Sequence, residues 1–232
     1  MCPAIADTNA GQVLGTGERM EGNCLCRLNK NVRRGENGFV LERGKKNAVR
    51  RNLFQLARDH ADSILEVGFN AGHSCALFCY GWDMRDVESR QSAPSTGRGS
   101  GYKYLGFDLC EHDYARPCFE ELRRIYVGNE MAMVVGDSRE MLGAYAHDEA
   151  APIYDLIHID GGHKADEVRK DTLLCRRFAK PGETILLIDD TKWPAIADAI
   201  AQFIEDSVLA EVDYDRLGLT KTATHQMFVY NS

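Results

Sequence analysis

Acidic residues follow two short apolar runs in the second half of the sequence. Asp160 follows Leu156–Ile159, and Asp189 and Asp190 follow Ile185–Ile188. Apolar runs of this length are typical of buried parallel strands. Ligands of open α/β sheets bind outside the carboxyl ends of the strands, so these carboxylates should face one crevice. Crowded carboxylates repel each other unless a cation joins them, and their oxygens suit Mg²⁺, Mn²⁺ or Ca²⁺.

A glycine-bearing turn upstream indicates a second ligand in the same crevice. An apolar run that contains Glu66 leads into Gly68 and Gly72, and an apolar helical pattern follows. The two glycines allow the backbone to approach a ligand, and the new helix offers free N–H groups to an anion. A dinucleotide fingerprint needs one more glycine, which argues against NAD or FAD. An acid at this position, Glu66, suits a ligand with an ammonium beside a carboxylate, such as S-adenosylmethionine.

Composition narrows the class of protein and its partners. The 232 residues suffice for one large domain, and 44% of them are hydrophobic. A net charge of −7 argues against nucleic acid or an acidic membrane surface as a partner. No apolar stretch predicts a membrane span and no signal sequence opens the chain. The 8 cysteines show neither a disulfide nor a zinc pattern, so a reduced, cytoplasmic location is expected.

Alternating strand and helix patterns from Ser63 onward predict a parallel sheet. The predicted fold is α/β: a Rossmann-like, doubly wound, seven-stranded and mostly parallel sheet with an N-terminal helical cap. The predicted strands are Ile64–Val67, Tyr104–Phe107, Met131–Val135, Leu156–Ile159, the run that ends at Ile188, Leu209–Val212 and Gln226–Tyr230. The predicted helices are Cys75–Tyr80, Arg116–Tyr126, Arg139–Tyr145, Ala165–Phe178 and Ile196–Glu205.

The segment before this alternation predicts a separate element. Residues 1–60 are expected to hold a loose stretch, a short ordered stretch at Phe39–Leu41 and a helix over Asn47–His60 that caps the crevice. Residues 61–232 form the predicted ligand-binding domain. Within it, Arg85–Lys103 is polar and rich in serine, glycine and arginine, which predicts a mobile surface loop.

Taken in order, these motifs resemble those of the class I S-adenosylmethionine-dependent methyltransferases. The resemblance runs from Ser63 to the C-terminus and is greatest to the metal-dependent O-methyltransferases, of the catechol and caffeoyl-CoA type and the related sugar and antibiotic group. The ordered set carries it: the glycine turn after Glu66, then Asp108, then Gly136 to Ser138, then Asp160 with His163, and then Asp189 and Asp190.

The resemblance implies a role for each matching residue. The methionine end of S-adenosylmethionine would be held by the glycine-turn residues Glu66, Gly68, Asn70, Gly72, His73 and Ser74. Asp108, with Leu109 beside it, would accept the ribose hydroxyls, and Asp137 and Ser138 would lie beside the adenine. Asp160, Asp189 and Asp190 would bind the metal, and His163 would stand in the place of the catalytic base, beside the catalytic Asp160.

The sequence departs from the family pattern in three places. Asp108 comes 40 residues after Gly68, so Asp83 or Asp86 competes for the ribose role. The catechol-type site has Asn at its third metal position, where this chain has Asp190. Adjacent strand residues also point to opposite faces, so Asp189 and Asp190 can share an ion only if the strand has already bent.

The histidines of these motifs have alternative roles. His163 is a base near neutral pH or a residue that orients Asp160. His158, inside an apolar strand, is expected to be a core histidine whose hydrogen bonds are satisfied. His73 is expected in the wall of the cofactor pocket.

The function predicted from this resemblance is O-methylation of a hydroxyl on a small molecule or sugar, assisted by a divalent metal, with S-adenosylmethionine as the methyl donor. A metal-independent methyltransferase that uses His163 as its base is one alternative, and a non-catalytic S-adenosylmethionine-binding module is another. The residues after Asp160 are not those of amino-directed DNA methyltransferases, which supports the expectation that nucleic acid is not a partner. A homodimer is left open.

Overall fold

Seven strands form one sheet in the computed structural model, which describes residues 47–92, 101–145 and 151–232. The strands are β1 (Ser63–Val67), β2 (Lys103–Asp108), β3 (Glu130–Val135), β4 (Leu156–Ile159), β5 (Ile185–Ile188), β6 (Leu209–Glu211) and β7 (Gln226–Tyr230). Their order across the sheet is β3-β2-β1-β4-β5-β7-β6, and β7 pairs antiparallel with both β5 and β6. The mostly parallel sheet is therefore confirmed.

Helices cover both faces of this sheet. They are α1 (Asn47–Gln55, continued by a π-helical turn at Leu56–His60), α2 (His73–Ser92), α3 (Ala115–Ile125), α4 (Ser138–Tyr145), α5 (Ala165–Cys175, followed by a 3-10 turn at Arg176–Phe178), α6 (Pro194–Glu205) and α7 (Tyr214–Leu217). The first three pack with one hydrophobic cluster, and α4, α5 and α6 pack with a second cluster on the opposite face. This double winding confirms the predicted fold class.

One segment differs from the sequence prediction. Arg85 to Ser92 is not part of a loop but forms the second half of α2. The polar composition misled the prediction because tertiary hydrogen bonds, several of them from Arg85, tie this part of α2 to its neighbours. Arg85 donates hydrogen bonds to the main-chain carbonyls of Ala57, Arg58 and Ala61 at the end of the π-helical turn, and the Trp82 indole also donates to that of Ala61.

The N-terminal predictions are met only in part by the described residues. The helix predicted over Asn47–His60 is confirmed as α1 with its π-helical turn. Phe39–Leu41 and the remainder of the predicted loop, residues 93–100, lie outside the described residues. The division of the chain at residue 60 stays a prediction. None of the helices in the described ranges combines the length and the apolarity that crossing a bilayer requires.

The strand register aligns the carboxyl ends of β1 to β5 at one edge. The backbone N–H of Gly68 donates to Phe107, that of Asp160 donates to Val67, and that of Asp189 donates to Ile159, at N···O distances of 2.8, 2.8 and 3.0 Å. The residues that follow each strand therefore begin at the same level. The acidic strand ends and the glycine turn meet there, as the parallel topology requires.

Candidate active site

Two cavities open at this edge of the sheet and share part of their walls. One, of about 370 Å³, follows the glycine turn, and we refer to it as the turn cavity. The other, of about 560 Å³, contains the acidic strand ends, and we refer to it as the acidic cavity. Asn70, His112, Asp160 and His163 line both cavities. The two cavities are therefore adjacent at Asp160 and His163.

Close contacts inside the protein require glycine at both positions of the glycine turn. Gly68 has φ +91°, and a Cβ atom there would lie 2.1 Å from the carbonyl oxygen of Asp160. Gly72 has φ +73°, and a Cβ atom there would meet the ring of Phe69 at 2.4 Å. Both positions exclude a side chain: at Gly68 the turn passes directly over the end of β4, and at Gly72 the Phe69 ring and Leu122 fill the space. Of the two, Gly68 lines the turn cavity.

Asp108 lies in the turn cavity with its carboxylate anchored to the backbone. Its two oxygens accept hydrogen bonds from the N–H groups of Asn70, at 2.8 Å, and Cys110, at 2.6 Å. A carboxylate has about four lone-pair sites, so each oxygen can accept one more bond from a ligand. Leu109 follows it in the same cavity wall with an exposed side chain. The geometry suits a ligand that carries two neighbouring hydroxyls.

The other end of the turn cavity contains two differently held carboxylates. The Arg139 guanidinium lowers the pKa of Asp137 to about 2, because it donates to both oxygens, at 2.8 and 2.5 Å. Burial raises the pKa of Asp171 to about 6, against which a 2.7 Å hydrogen bond from the Ser138 hydroxyl acts. Asp137, Ser138 and Asp171 all line the cavity. No motif in the sequence had indicated Asp171, which lies in the middle of α5.

Asp171→Asn should make the protein more stable at pH 7, because the buried carboxylate opposes folding once it ionises. Its pKa is raised on folding, so stability present below about pH 4 is lost as the pH rises through about 6. The variant keeps the polar contact without the charge, and we expect a gain of up to about 3 kcal/mol at pH 7.5 that vanishes near pH 4. Urea unfolding at the two pH values measures it. Asp166→Asn, on an exposed position of the same helix, should show no such change.

Three carboxylates, those of Asp160, Asp189 and Asp190, line the acidic cavity. Asp189 and Asp190 both lie beyond β5, and Asp190 has φ +56°, so the chain has left the extended conformation that would separate their side chains. His163 Nδ1 lies 2.7 Å from Asp190 Oδ2. His225 Nδ1 lies 3.0 Å from Asp189 Oδ1. The bend is therefore present, and both acids line the same cavity as Asp160.

The carboxylates of Asp160 and Asp189 face each other and repel when both are ionised. Burial raises the pKa of Asp160 well above its ordinary value, and the facing Asp189 carboxylate raises it further. Within the described ranges, no three His, Cys, Asp or Glu side chains already converge around one point as a metal would require. The donor set nevertheless fits a hard divalent cation in chemistry, since it offers carboxylate oxygens that a positive ion would relieve of their repulsion.

Glu66 does not lie where the family resemblance implies. Its side chain is fully buried, it accepts hydrogen bonds from the Tyr104 hydroxyl and lies 2.8 Å from His158 Nδ1, and it lines neither cavity. His158 is a buried histidine, as predicted, but it is not fully satisfied. Among the described residues its Nε2 atom has no hydrogen-bond partner, and the residue lines the acidic cavity. Glu66 therefore supports the cavity from behind through His158.

His73 and Ser74, the two residues that follow Gly72, lie in different environments at the start of α2. Ser74 lines the acidic cavity, not the turn cavity. His73 lines neither cavity, and burial, followed by the charge of Arg50, lowers its pKa to about 4. His73 is therefore neutral near pH 7. The structure does not place it in a cofactor wall, because the first turn of α2 directs it into the protein.

Several wall residues had no signal in the sequence. Arg50 and Leu53 bring α1 to the acidic cavity, which matches the predicted position of this helix beside the crevice. His225 reaches it from the start of β7, 36 residues after its partner Asp189. Trp193 lies against His163, with ring centroids 6.3 Å apart and planes 20° apart. Only tertiary structure brings these residues together, since α1, the segment after β5 and the residue before β7 lie far apart in the sequence.

This chain is similar to known proteins in sequence family and in fold. The chain matches the family described as "Methyltransferase domain" over residues 65–191. No curated protein sequence matches it. A Bacillus cereus O-methyltransferase solved with S-adenosylhomocysteine is 14% identical, with 94% of this chain and 91% of that chain covered and a TM-score of 0.56.

Two further solved structures share the fold. CalS11, described as a TDP-rhamnose 3'-O-methyltransferase of calicheamicin biosynthesis, is 17% identical, with coverage of 93% and 95% and a TM-score of 0.55. The MycE methyltransferase of mycinamycin biosynthesis, solved with Mg and S-adenosylhomocysteine, is 16% identical, with coverage of 91% and 54% and a TM-score of 0.54. Identities this low establish a shared fold and no more.

Proposed function

This chain belongs to the methyltransferase-domain family, and on that premise we propose that it is an S-adenosylmethionine-dependent O-methyltransferase. The proposed acceptor is a hydroxyl of a small molecule or sugar, and a divalent metal, Mg²⁺ or else Mn²⁺ or Ca²⁺, is proposed to assist. One observation carries the proposal: the turn cavity and the acidic cavity share the walls formed by Asp160 and His163. A donor in the first and a hydroxyl in the second would meet there.

The turn cavity has the features that the donor requires. Asp108 retains lone pairs for two ribose hydroxyls, and the backbone at Gly68 is bare. Asn70 lines both cavities, so it would lie near the methionine end of the ligand. The cofactor roles proposed for Gly68, Asn70, Asp108, Leu109, Asp137 and Ser138 are supported by their positions in the cavity wall. Glu66, Gly72 and His73 would act through packing instead.

When bound, S-adenosylmethionine supplies an electrophilic methyl group and a divalent metal supplies a Lewis acid. Asp160, Asp189 and Asp190 would hold the metal. His163 is proposed as the base: its Nδ1 is turned to Asp190 Oδ2, which leaves Nε2 to accept the proton of the acceptor hydroxyl. The Trp193 ring lies nearly parallel to the imidazole of His163, with ring centroids 6.3 Å apart. Methyl transfer needs chiefly this alignment, since proximity supplies most of the rate gain.

The nature of the acceptor is proposed from the acidic cavity and from the neighbours that share the fold. Carboxylates and histidines dominate one wall of the cavity, and Trp193 and Tyr114 supply flat apolar faces. Such a mixture suits a polyhydroxylated ring, which has polar edges and apolar faces. CalS11, whose description names TDP-rhamnose, is consistent with a sugar. The cytoplasmic location and the homodimer stay predictions.

We expect S-adenosylmethionine to bind the purified protein with a micromolar dissociation constant. Calorimetric titration with and without Mg²⁺ and EDTA measures this, and an acceptor screen for S-adenosylhomocysteine formation follows. A rate that requires Mg²⁺ supports the metal-assisted reaction. A rate unchanged by EDTA supports instead the metal-independent methyltransferase with His163 as base, and binding without turnover on any acceptor supports the non-catalytic module. Absence of binding under every condition would remove the proposed function.

A further inference from the structure

Asp171 is the most buried charged group in the wall of the turn cavity, and no role has been assigned to it. It is 2% exposed, it belongs to α5, and it lines the turn cavity. Carboxylates are seldom buried to this degree without a purpose, because burial disfavours their charged form. Its contact in the wall is Ser138, whose hydroxyl donates to it at 2.7 Å.

This contact determines what the Ser138 hydroxyl can offer a ligand. A serine hydroxyl has one proton and two acceptor lone pairs. Because the proton is committed to Asp171, only lone pairs remain for a ligand. Asp171 itself, as a carboxylate, also only accepts. The neighbouring Asp137 offers little more, since the Arg139 guanidinium holds both of its oxygens. Ser138 and Asp171 therefore form a patch of hydrogen-bond acceptors.

The position of this patch indicates which part of the ligand it meets. The turn cavity shares the wall residues Asn70, Asp160 and His163 with the acidic cavity, and in the proposed reaction the methyl group would pass between the ligands at this junction. Asp108 stands between the junction and Ser138, because β2 lies between β1 and β3 in the sheet. A nucleoside whose ribose is held at Asp108 would therefore place its base beside Ser138 and Asp171.

We propose that Asp171 is a specificity-determining residue that orients the Ser138 hydroxyl so that the site accepts an adenine and rejects a 6-oxopurine. This rests on the proposed function. The 6-amino group of adenine donates hydrogen bonds and meets the acceptor patch. The 6-oxygen of hypoxanthine accepts, so it would face two acceptors and lose its hydrogen bonds to water without replacement. Sites that read a polar group in this way discriminate far more strongly than apolar pockets do.

The test compares the affinities of S-adenosylhomocysteine and S-inosylhomocysteine by calorimetry. We expect the wild-type protein to prefer the adenine compound by roughly thirtyfold or more. Asp171→Asn keeps the shape but supplies an N–H donor, both to the base directly and to Ser138, whose proton is then free. The preference should fall to about threefold or less, with a real gain in affinity for the inosine compound.

Two further variants separate this role from a structural one. Ser138→Ala removes the oriented hydroxyl and should also reduce the preference, mainly by weakening binding of the adenine compound. Asp166→Asn, on the exposed side of α5, should keep the wild-type ratio. An unchanged ratio in folded Asp171→Asn would overturn the proposal for Asp171. Failure of the wild-type protein to bind S-adenosylhomocysteine at all would instead overturn the proposed function.

Discussion

Asp160→Asn is expected to weaken metal binding and turnover strongly while the fold remains intact. Asp160 is shared by both cavities and faces Asp189. The amide has the same shape but is a much weaker ligand for a hard cation, and it leaves Asp189 and Asp190 to hold the metal alone. We expect the affinity for Mn²⁺ to fall at least a hundredfold. The electron paramagnetic resonance signal of free Mn²⁺ measures this affinity. Turnover of any acceptor should fall by about a thousandfold, equivalent to about 4 kcal/mol of transition-state stabilisation.

Stability distinguishes this result from simple unfolding. Replacing one of two facing carboxylates by a neutral group removes repulsion, so the melting temperature of the variant without metal should equal or exceed that of the wild-type protein. Asp198→Asn, on the exposed part of α6, is the matched control and should retain full metal affinity. A fully active Asp160→Asn protein, or wild-type activity that persists in excess chelator, would contradict metal assistance.

Gly68→Ala should destabilise the protein by about 3–5 kcal/mol, a large part of the stability of a typical domain. The added methyl would lie 2.1 Å from the Asp160 carbonyl oxygen and 2.7 Å from the Gly161 Cα atom, so main chain must move. The residue also has φ +91°, which a side chain makes unfavourable. Urea unfolding monitored by circular dichroism measures the loss.

A second glycine provides the control for this variant. Gly143 lies inside α4, and a Cβ atom there would meet nothing within 4 Å. Gly143→Ala should therefore stabilise the protein by about 0.5–1 kcal/mol, the ordinary helix preference of alanine. If the two substitutions had equal effects, the close approach of β1 and β4 would not be the reason for glycine at position 68.

The parts of the fold that the sequence predicted are those with a local signal. Runs such as Leu156–Ile159 are buried on both faces, so their apolar composition alone identifies the strand, and the topology then aligns their ends. Arg85 to Ser92 was wrongly predicted as a loop because the feature that orders it is tertiary. The carbonyls to which Arg85 donates belong to a turn about 25 residues away in the chain.

In the candidate site, too, only residues with a local sequence signal were predicted. The three acids were predictable because each ends a strand or follows its bend. The burial of Glu66 was not, because alternation along β1 does not tell which neighbours, here Tyr104 and His158, fill the space beside its carboxylate. Asp171 and His225 could not be found from spacing at all. The number of residues that separates each of them from the other site residues matches no sequence motif.

The position of β1 also has a consequence for how the molecule assembles. β1 pairs on one side with β2 and on the other with β4, and the Glu66–His158 contact across the second pair joins residues 92 apart in the chain. Contacts this distant close late and slow folding, since the chain entropy is lost before the contact forms. Both cavities are lined by residues that follow β1 and β4. Ligand binding at this edge is therefore expected to report only on molecules in which β1 has paired with β4.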